Sequence, residues 1–262
     1  MSTICKPKTG TKEWAEKNVN FLQSTCGTWK CRNNCIYCYA KGMAVRFHQI
    51  VSYDSNHQVP CGDPRIVMPK SYPHDTTIMM PSSHDLFPEH LPQILNILNN
   101  LLLKGNSVLL VSKPRREVIE AIITRLKKWQ PEWQKRVEFR FSITSSSPEI
   151  SLRYEPGAPL PQERVECLKM VLDAGFPASV SMEPYLQDPF LLLEYIAGTI
   201  DVADLKEFWI GTMNYGIPAE LRDLYQKDFM EYLYSKMNTC KIVRWKDSFC
   251  KVLGIDNLGV RK

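Results

Sequence analysis

A chain of 262 residues, 44% of them hydrophobic, suits one large domain or two small ones with a sizeable core. Its formal net charge of +5 is mildly basic; it admits a polyanionic partner without requiring one, because a nucleic-acid footprint needs basic groups gathered on one face. No apolar run reaches bilayer length and the polar start Met1-Ser-Thr-Ile-Cys-Lys-Pro-Lys8 has no apolar secretory core, so no membrane attachment is expected and the expected location is cytoplasmic.

Residues 1–19 read as a polar lead-in carrying Trp14, and a first strand is expected near Val19-Asn20-Phe21-Leu22. Next comes Cys31-Arg-Asn-Asn-Cys35-Ile-Tyr-Cys38-Tyr39-Ala40, in which C-x3-C-x2-C spacing lets one loop aim three thiols at a common centre. With nine cysteines and three in one loop, metal binding in a reducing compartment is favoured over a disulfide framework. Thiolates are the usual ligands of iron–sulfur clusters, and three of them on a cubane leave one iron open. The alternative is a zinc site with His48 as fourth ligand, although no second C-x2-C or H-x3-H pair accompanies it.

Ala40 to Phe47 can continue as helix, whereas Pro60, Gly62, Pro64, Pro69 and Pro73 break residues 48–75 into an irregular excursion. From residue 76 apolar runs of strand length alternate with segments of helical spacing. The runs are Thr77–Met80, Val108–Val111, Val137–Ile143, Ala178–Met182 and Glu207–Ile210. Between them, Leu91, Ile94, Leu95, Leu98, Leu101 and Leu102 make one helix face and Val118, Ile119, Ile122, Ile123 and Leu126 another. Such alternation implies a parallel sheet with crossover helices.

Counting the strand before the cysteine loop gives six units, fewer than the eight for which a closed barrel takes about 250 residues. The expected fold is therefore α/β, a partial (β/α)6 TIM-like barrel with an N-terminal loop extension. A long helix through Leu221, Leu224, Tyr225, Phe229, Tyr232 and Leu233 would close a domain of residues 1–237, leaving 238–262 as an extension packed on the barrel.

Functional groups of parallel barrels sit at the carboxyl ends of strands. Those ends read Ser82-Ser83-His84-Asp85, Ser112-Lys113-Pro114, Ser142 to Ser147, Glu183-Pro184 and Gly211-Thr212-Met213-Asn214.

The cysteine loop, with Tyr37 just before its last thiol, resembles that of the radical S-adenosylmethionine (SAM) superfamily. Tyr39-Ala40 narrows the resemblance to the branch of DNA repair photolyases that includes spore photoproduct lyase. Met80-Pro-Ser-Ser-His-Asp85, Gly105-Asn-Ser-Val-Leu-Leu-Val-Ser-Lys-Pro114, Glu155-Pro-Gly-Ala-Pro159, Ser179-Val-Ser-Met-Glu-Pro184 and Trp209-Ile-Gly-Thr-Met-Asn214 are similar to segments of the same branch.

The resemblance implies a [4Fe-4S] cluster on Cys31, Cys35 and Cys38 whose open iron chelates SAM, and a reducing electron donor such as flavodoxin or ferredoxin. One electron then cleaves SAM to a 5′-deoxyadenosyl radical, which abstracts hydrogen from a substrate; nucleic acid leads as the substrate class. Carried over by position, Ser82 and Ser83 would hold the SAM amino group, Lys113 its carboxylate, Ser142 and Thr144 the ribose or carboxylate, and Tyr39 the adenine beside Tyr37. His84-Asp85 would be a proton-transfer pair and Glu183 a further catalytic candidate. Against these stand plainer roles: turn formation for the serines, structural pairing for Glu183, and ordering of the Pro156–Pro159 loop for Glu155 and Arg153.

Where spore photoproduct lyase carries a hydrogen-donating cysteine by the second-strand serine, this chain has Met80-Pro81, so a thiol would have to come from elsewhere, for instance Cys61. Cys240 and Cys250, with Cys5 or Cys26, lack the spacing of a second cluster and read as ordinary free cysteines. The alternatives to nucleic acid are a peptide, protein or small-metabolite substrate, or a nonenzymatic metal-containing nucleic-acid-binding module.

Overall fold

The computed structural model describes residues 10–25, 28–47, 50, 60–213 and 216–255. β1 (Lys17–Asn18) begins the main sheet, while β2 (Leu22–Gln23) and β3 (Arg65–Ile66) form a separate antiparallel ribbon. Strands β4 (Thr77–Met80), β5 (Ser107–Ser112), β6 (Val137–Ser142), β7 (Ala178–Met182), β8 (Phe208–Ile210) and β9 (Val243–Trp245) continue the main sheet in chain order. All of its pairings are parallel, and β1 and β9 are its edges, so the sheet is an open partial barrel.

Helix α1 (Tyr39–Arg46) follows the cysteine loop. The crossovers use α2 (Leu91–Leu103), α3 (Arg116–Lys128), α4 (Pro131–Gln134), α5 (Pro148–Tyr154), α6 (Pro161–Asp173), α7 (Pro189–Ala197) and α8 (Lys227–Met237), and α9 (Asp247–Leu253) follows β9. The expected apolar faces are the buried ones: Ile94, Leu98 and Leu101 of α2 and Ile119, Ile122 and Leu126 of α3 join the core. After α2, Gly105 takes φ 78°, a left-handed turn into β5 that glycine adopts without a Cβ clash.

Period-2 alternation gives the strands two different faces. Ile78, Val108, Leu110, Phe139, Phe141, Val180 and Phe208 pack under the helices. On the concave face, Met79, Leu109 and Val111 are apolar and cluster with Ala15 and Trp14, whereas Arg140, Ser179 and Ser181 make β6 and β7 polar. There Arg140 donates to Glu138 (2.9 Å), Glu207 (2.7 Å) and Ser179 (2.8 Å), with its guanidinium 4.9 and 5.4 Å from the Trp14 and Trp209 ring centres. Lys246, just after β9, reaches Glu13 (3.2 Å) and the Gly10 carbonyl (3.0 Å). The residues before β1 thus pack inside the barrel, with Glu13 reaching Lys246 at the carboxyl end of β9 and Trp14 lining a cavity of about 430 Å³ with Glu138, Arg140, Glu207 and Trp209.

Three expectations change. The first sheet strand is Lys17–Asn18, earlier than Val19–Leu22, because Asn20 turns away to the end of β4 and Phe21 packs edge-on against His84. The single long helix expected over 221–233 is broken: residues 219–225 form a 3-10 segment, Gln226 is extended, and α8 begins at Lys227. The break follows from Tyr225, which stacks on Tyr185 at 4.7 Å and donates to its carbonyl, while Tyr185 donates to Leu224 O (2.8 Å). Finally, among the described residues the sheet has seven strands instead of six, since the strand of the 238–262 extension, Val243–Trp245, pairs with β8 and joins it.

Candidate functional site

The cysteine loop lies at the carboxyl ends of the strands and is fastened from below. Asn33 is fully buried; its Nδ2 donates to Asp85 (2.8 Å) and its Oδ1 accepts from Arg115 (2.8 Å), which also donates to the Gly157 carbonyl (2.7 Å). Gly157 N–H returns to the Asn33 carbonyl (3.1 Å) and Ile36 N–H to Tyr154 O (3.0 Å). Tyr37 donates to the Glu155 carboxylate. Asn34 takes φ 45°, a left-handed conformation that asparagine tolerates, and accepts from Lys41 Nζ (3.0 Å).

Cys31 and Cys35 are buried, and Cys38, half-buried, is the N-cap of α1. Burial pushes the Cys35 thiol up to about 12, opposed first by Lys113. Burial likewise raises Cys31, with Asp85 adding to the effect, and Cys38, where the Lys41 N–H and Lys113 pull the other way. A metal centre held on this loop would have to take the place of three protons, as thiolate ligation requires.

The donor set fits an anionic iron–sulfur cluster. All three thiols are free, Lys30, Lys41 and Lys113 act on them as cations, and the Asp85 and Glu155 carboxylates oppose these, with Asp85 Oδ2 accepting from Cys31 Sγ at 3.8 Å. Among the described residues no three His, Cys, Asp or Glu side chains converge on a single-ion position; cubane ligands each take a different iron and stand farther apart than that. His48 lies outside the described residues.

The other candidate residues divide into three groups. At the end of β4, Ser82 and Ser83 are bound to Asn20, whose Oδ1 accepts both backbone N–H groups (2.8 and 3.0 Å) and whose Nδ2 donates to Ser82 Oγ (2.9 Å). Lys30 donates to Ser83 Oγ (2.8 Å), and Tyr39 donates to the Ser82 carbonyl. These side chains are half-buried or exposed, open to a ligand.

A second group is sealed beneath the loop. Thr144, expected at the ribose, is fully buried and donates to Glu155 (2.9 Å). Lys113 Nζ lies 3.7 Å from Glu155 and 5.8 Å from the Tyr37 ring centre. Glu155, expected to order its own loop, receives Arg164 at 2.5 Å, and Arg164 also bonds Pro159 O and Ser142 O (2.7 and 3.2 Å). Third, Glu183 pairs with Lys246 at 3.6 Å, and burial raises its carboxyl pKa.

His84 and Asp85 do not form the expected pair. The His84 Nε2 accepts N–H bonds from Phe21 (3.2 Å) and Leu22 (3.4 Å), which places its proton on Nδ1, donated to the Asp85 backbone carbonyl (3.0 Å). The Asp85 carboxylate turns the other way, to Asn33, Ser112 Oγ (3.0 Å) and Lys113 N–H (2.6 Å). Adjacent side chains diverge here because each serves a different neighbouring segment.

Asn20, Lys30, Asn33, Arg115, Arg164 and Lys246 are site residues that sequence reading missed. Only Asn33, inside the cysteine loop, carried a local signal. Cys61 is now placed: its Sγ donates to the Cys31 carbonyl at 3.2 Å, beside the loop. Cys250 is buried and donates to Trp245 O (3.9 Å), Cys240 is half-buried, and Cys5, Cys26 and Asn214 lie outside the described residues.

No family model and no curated protein matches the chain. Solved structures do. The fold is similar to that of Streptococcus suis SuiB bound to S-adenosylmethionine, at 11% identity and TM-score 0.49, covering 84% of this chain and 45% of that one. It is similar to spore photoproduct lyase complexed with dinucleoside spore photoproduct, at 14% identity and TM-score 0.49, covering 89% and 64%. A spore photoproduct lyase variant with bound AdoMet and the same dinucleoside gives 15% identity and TM-score 0.47, covering 79% and 58%. The chain thus spans 45 to 64% of the length of these neighbours.

Proposed function

We propose that the chain is a radical SAM enzyme that holds a [4Fe-4S] cluster on Cys31, Cys35 and Cys38. The observation that carries this reading is the placement of three free thiols on one loop at the carboxyl ends of a parallel sheet. When bound, the cluster supplies the electron that cleaves SAM reductively to a 5′-deoxyadenosyl radical for hydrogen abstraction.

The chain's own residues bind and orient. Asn20 fixes the Ser82-Ser83 turn, so its remaining polar groups face the ligand in one geometry, and Tyr39 pins the turn to the start of α1. Lys30, held on Ser83 beside the loop, offers a cation to a SAM carboxylate. Glu183 and Lys246 follow β7 and β9 and pair with each other, Lys246 being buried and bound to Glu13 as well. Electrons come from a low-potential donor such as flavodoxin or ferredoxin.

The substrate class we favour is nucleic acid, on the formal charge of +5 and the resemblance of the strand-end segments to the photolyase branch. The reading is tested by anaerobic reconstitution. Four irons and four sulfides per chain, lost on replacing Cys31, Cys35 and Cys38 by alanine, are expected; a single tightly held zinc would overturn it. Affinity for an oligonucleotide should fall steeply with salt, and salt-independent binding would count against nucleic acid.

A further inference from the structure

Lys113 is buried against Glu155 and the Tyr37 ring of the cysteine loop. Its side chain is 11% exposed. The ammonium faces Glu155 Oε1 at 3.7 Å and the Tyr37 ring at 5.8 Å, and its own backbone N–H is tied to Asp85 (2.6 Å). Tyr37 stands between Cys35 and Cys38 in the chain, so a cation against its ring lies on the inner side of the loop that presents both sulfurs. To reach a SAM carboxylate, Lys113 would have to leave a fully buried carboxylate.

Glu155 is shared among several partners. Its Oε2 is held by Arg164 at 2.5 Å, while Thr144 and Tyr37 donate to Oε1, the oxygen that faces Lys113. The Asp85 carboxylate also lies here, its Oδ2 accepting from Cys31 Sγ at 3.8 Å, so the Lys113 ammonium belongs to a balanced set of buried charges, in a dry setting where removing one unit charge is felt strongly. Consistent with this position, Lys113 is the largest influence opposing burial at the Cys35 thiol.

We infer that Lys113 tunes the reduction potential of the cluster held on this loop, and that Lys30 takes the SAM carboxylate. The inference rests on the cluster reading given above. Adding one electron from a low-potential donor makes the cluster more negative, and a fixed positive charge nearby favours that state. Glu155 acts as a positioning residue, since it pairs with Lys113 and is itself held by Arg164.

The test is a dithionite titration of the reconstituted full-length chain, followed by its electron paramagnetic resonance signal, without SAM. Lys113→Met and Lys113→Gln should make reduction at least tenfold less favourable, a shift of about 59 mV for one electron, and Lys113→Arg should stay near the parent. Calorimetry with SAM should show the larger loss of affinity in Lys30→Met. A parent-like potential in the charge-removing variants, with SAM affinity lost instead, overturns the inference and returns Lys113 to the carboxylate. A parent chain that takes up no cluster overturns the cluster reading itself, and this inference with it.

Discussion

Arg164 Nη2 lies 2.5 Å from Glu155 Oε2, and neither side chain is exposed. This pair joins α6 to the segment after α5, and through Thr144 and Tyr37 it joins both to the end of β6 and the cysteine loop. It is the structural floor of the site.

Removing one partner should therefore be costly. Arg164→Met leaves a buried carboxylate with only Lys113 and hydroxyl donors, and is expected to destabilise the metal-free chain by about 3–5 kcal/mol, read from urea unfolding. Replacing both residues by apolar side chains should cost less than the single change. A single variant as stable as the parent would show that the pair does not hold the floor.

Acid should destabilise the chain in two stages. His84, buried and accepting two backbone N–H bonds, has its pKa lowered to about 4 from 6.5. Between those values the unfolded chain binds a proton that the folded chain refuses, so stability falls as pH drops through that window, by about 3 kcal/mol. Glu155 has its pKa lowered by Arg164 and Lys113 against burial, so its contribution is present above the ordinary carboxylate value and is lost at still lower pH. Unfolding measured from pH 7 to 4 in the parent and in His84→Gln checks this. Equal slopes would contradict it.

Gly157 packs directly against the cysteine loop. A Cβ there would stand 2.0 Å from the Arg32 carbonyl oxygen and 3.1 Å from Asn33 Cα, both backbone atoms. Gly157→Ala should cost about 1–3 kcal/mol and lower the iron content after reconstitution. Full iron loading at parental stability would mean that the two loops separate freely.

Asn20→Ala removes the acceptor of the Ser82 and Ser83 N–H groups. At about 1 kcal/mol per hydrogen bond, the loosened turn should weaken SAM binding by roughly tenfold or more while leaving cluster content intact. Unchanged affinity by calorimetry would remove the β4 turn from the SAM site.

Much of this was legible in the chain. Strands β4 to β8 announce themselves because parallel strands are buried on at least one face along their length and read as apolar runs. The cysteine loop is legible because its ligands are close in sequence. Contacts across long separations are not: Asn20 with Ser82 is 62 residues away and Lys30 with Ser83 is 53. Lys113 and Thr144 were legible as strand-end residues, but their direction was not, because the buried carboxylate that claims both comes from Glu155, after α5. The apparent His84-Asp85 pair misled because adjacency in sequence says nothing of which neighbour each side chain serves.

The central claim is that this loop builds a centre that cleaves SAM. The most direct measurement is 5′-deoxyadenosine formed by the anaerobically reconstituted, reduced chain given SAM, beside the variant with Cys31, Cys35 and Cys38 replaced by alanine. The account predicts 5′-deoxyadenosine from the parent alone. A parent chain that carries its full complement of iron and sulfide, is reduced, and leaves SAM intact would contradict it.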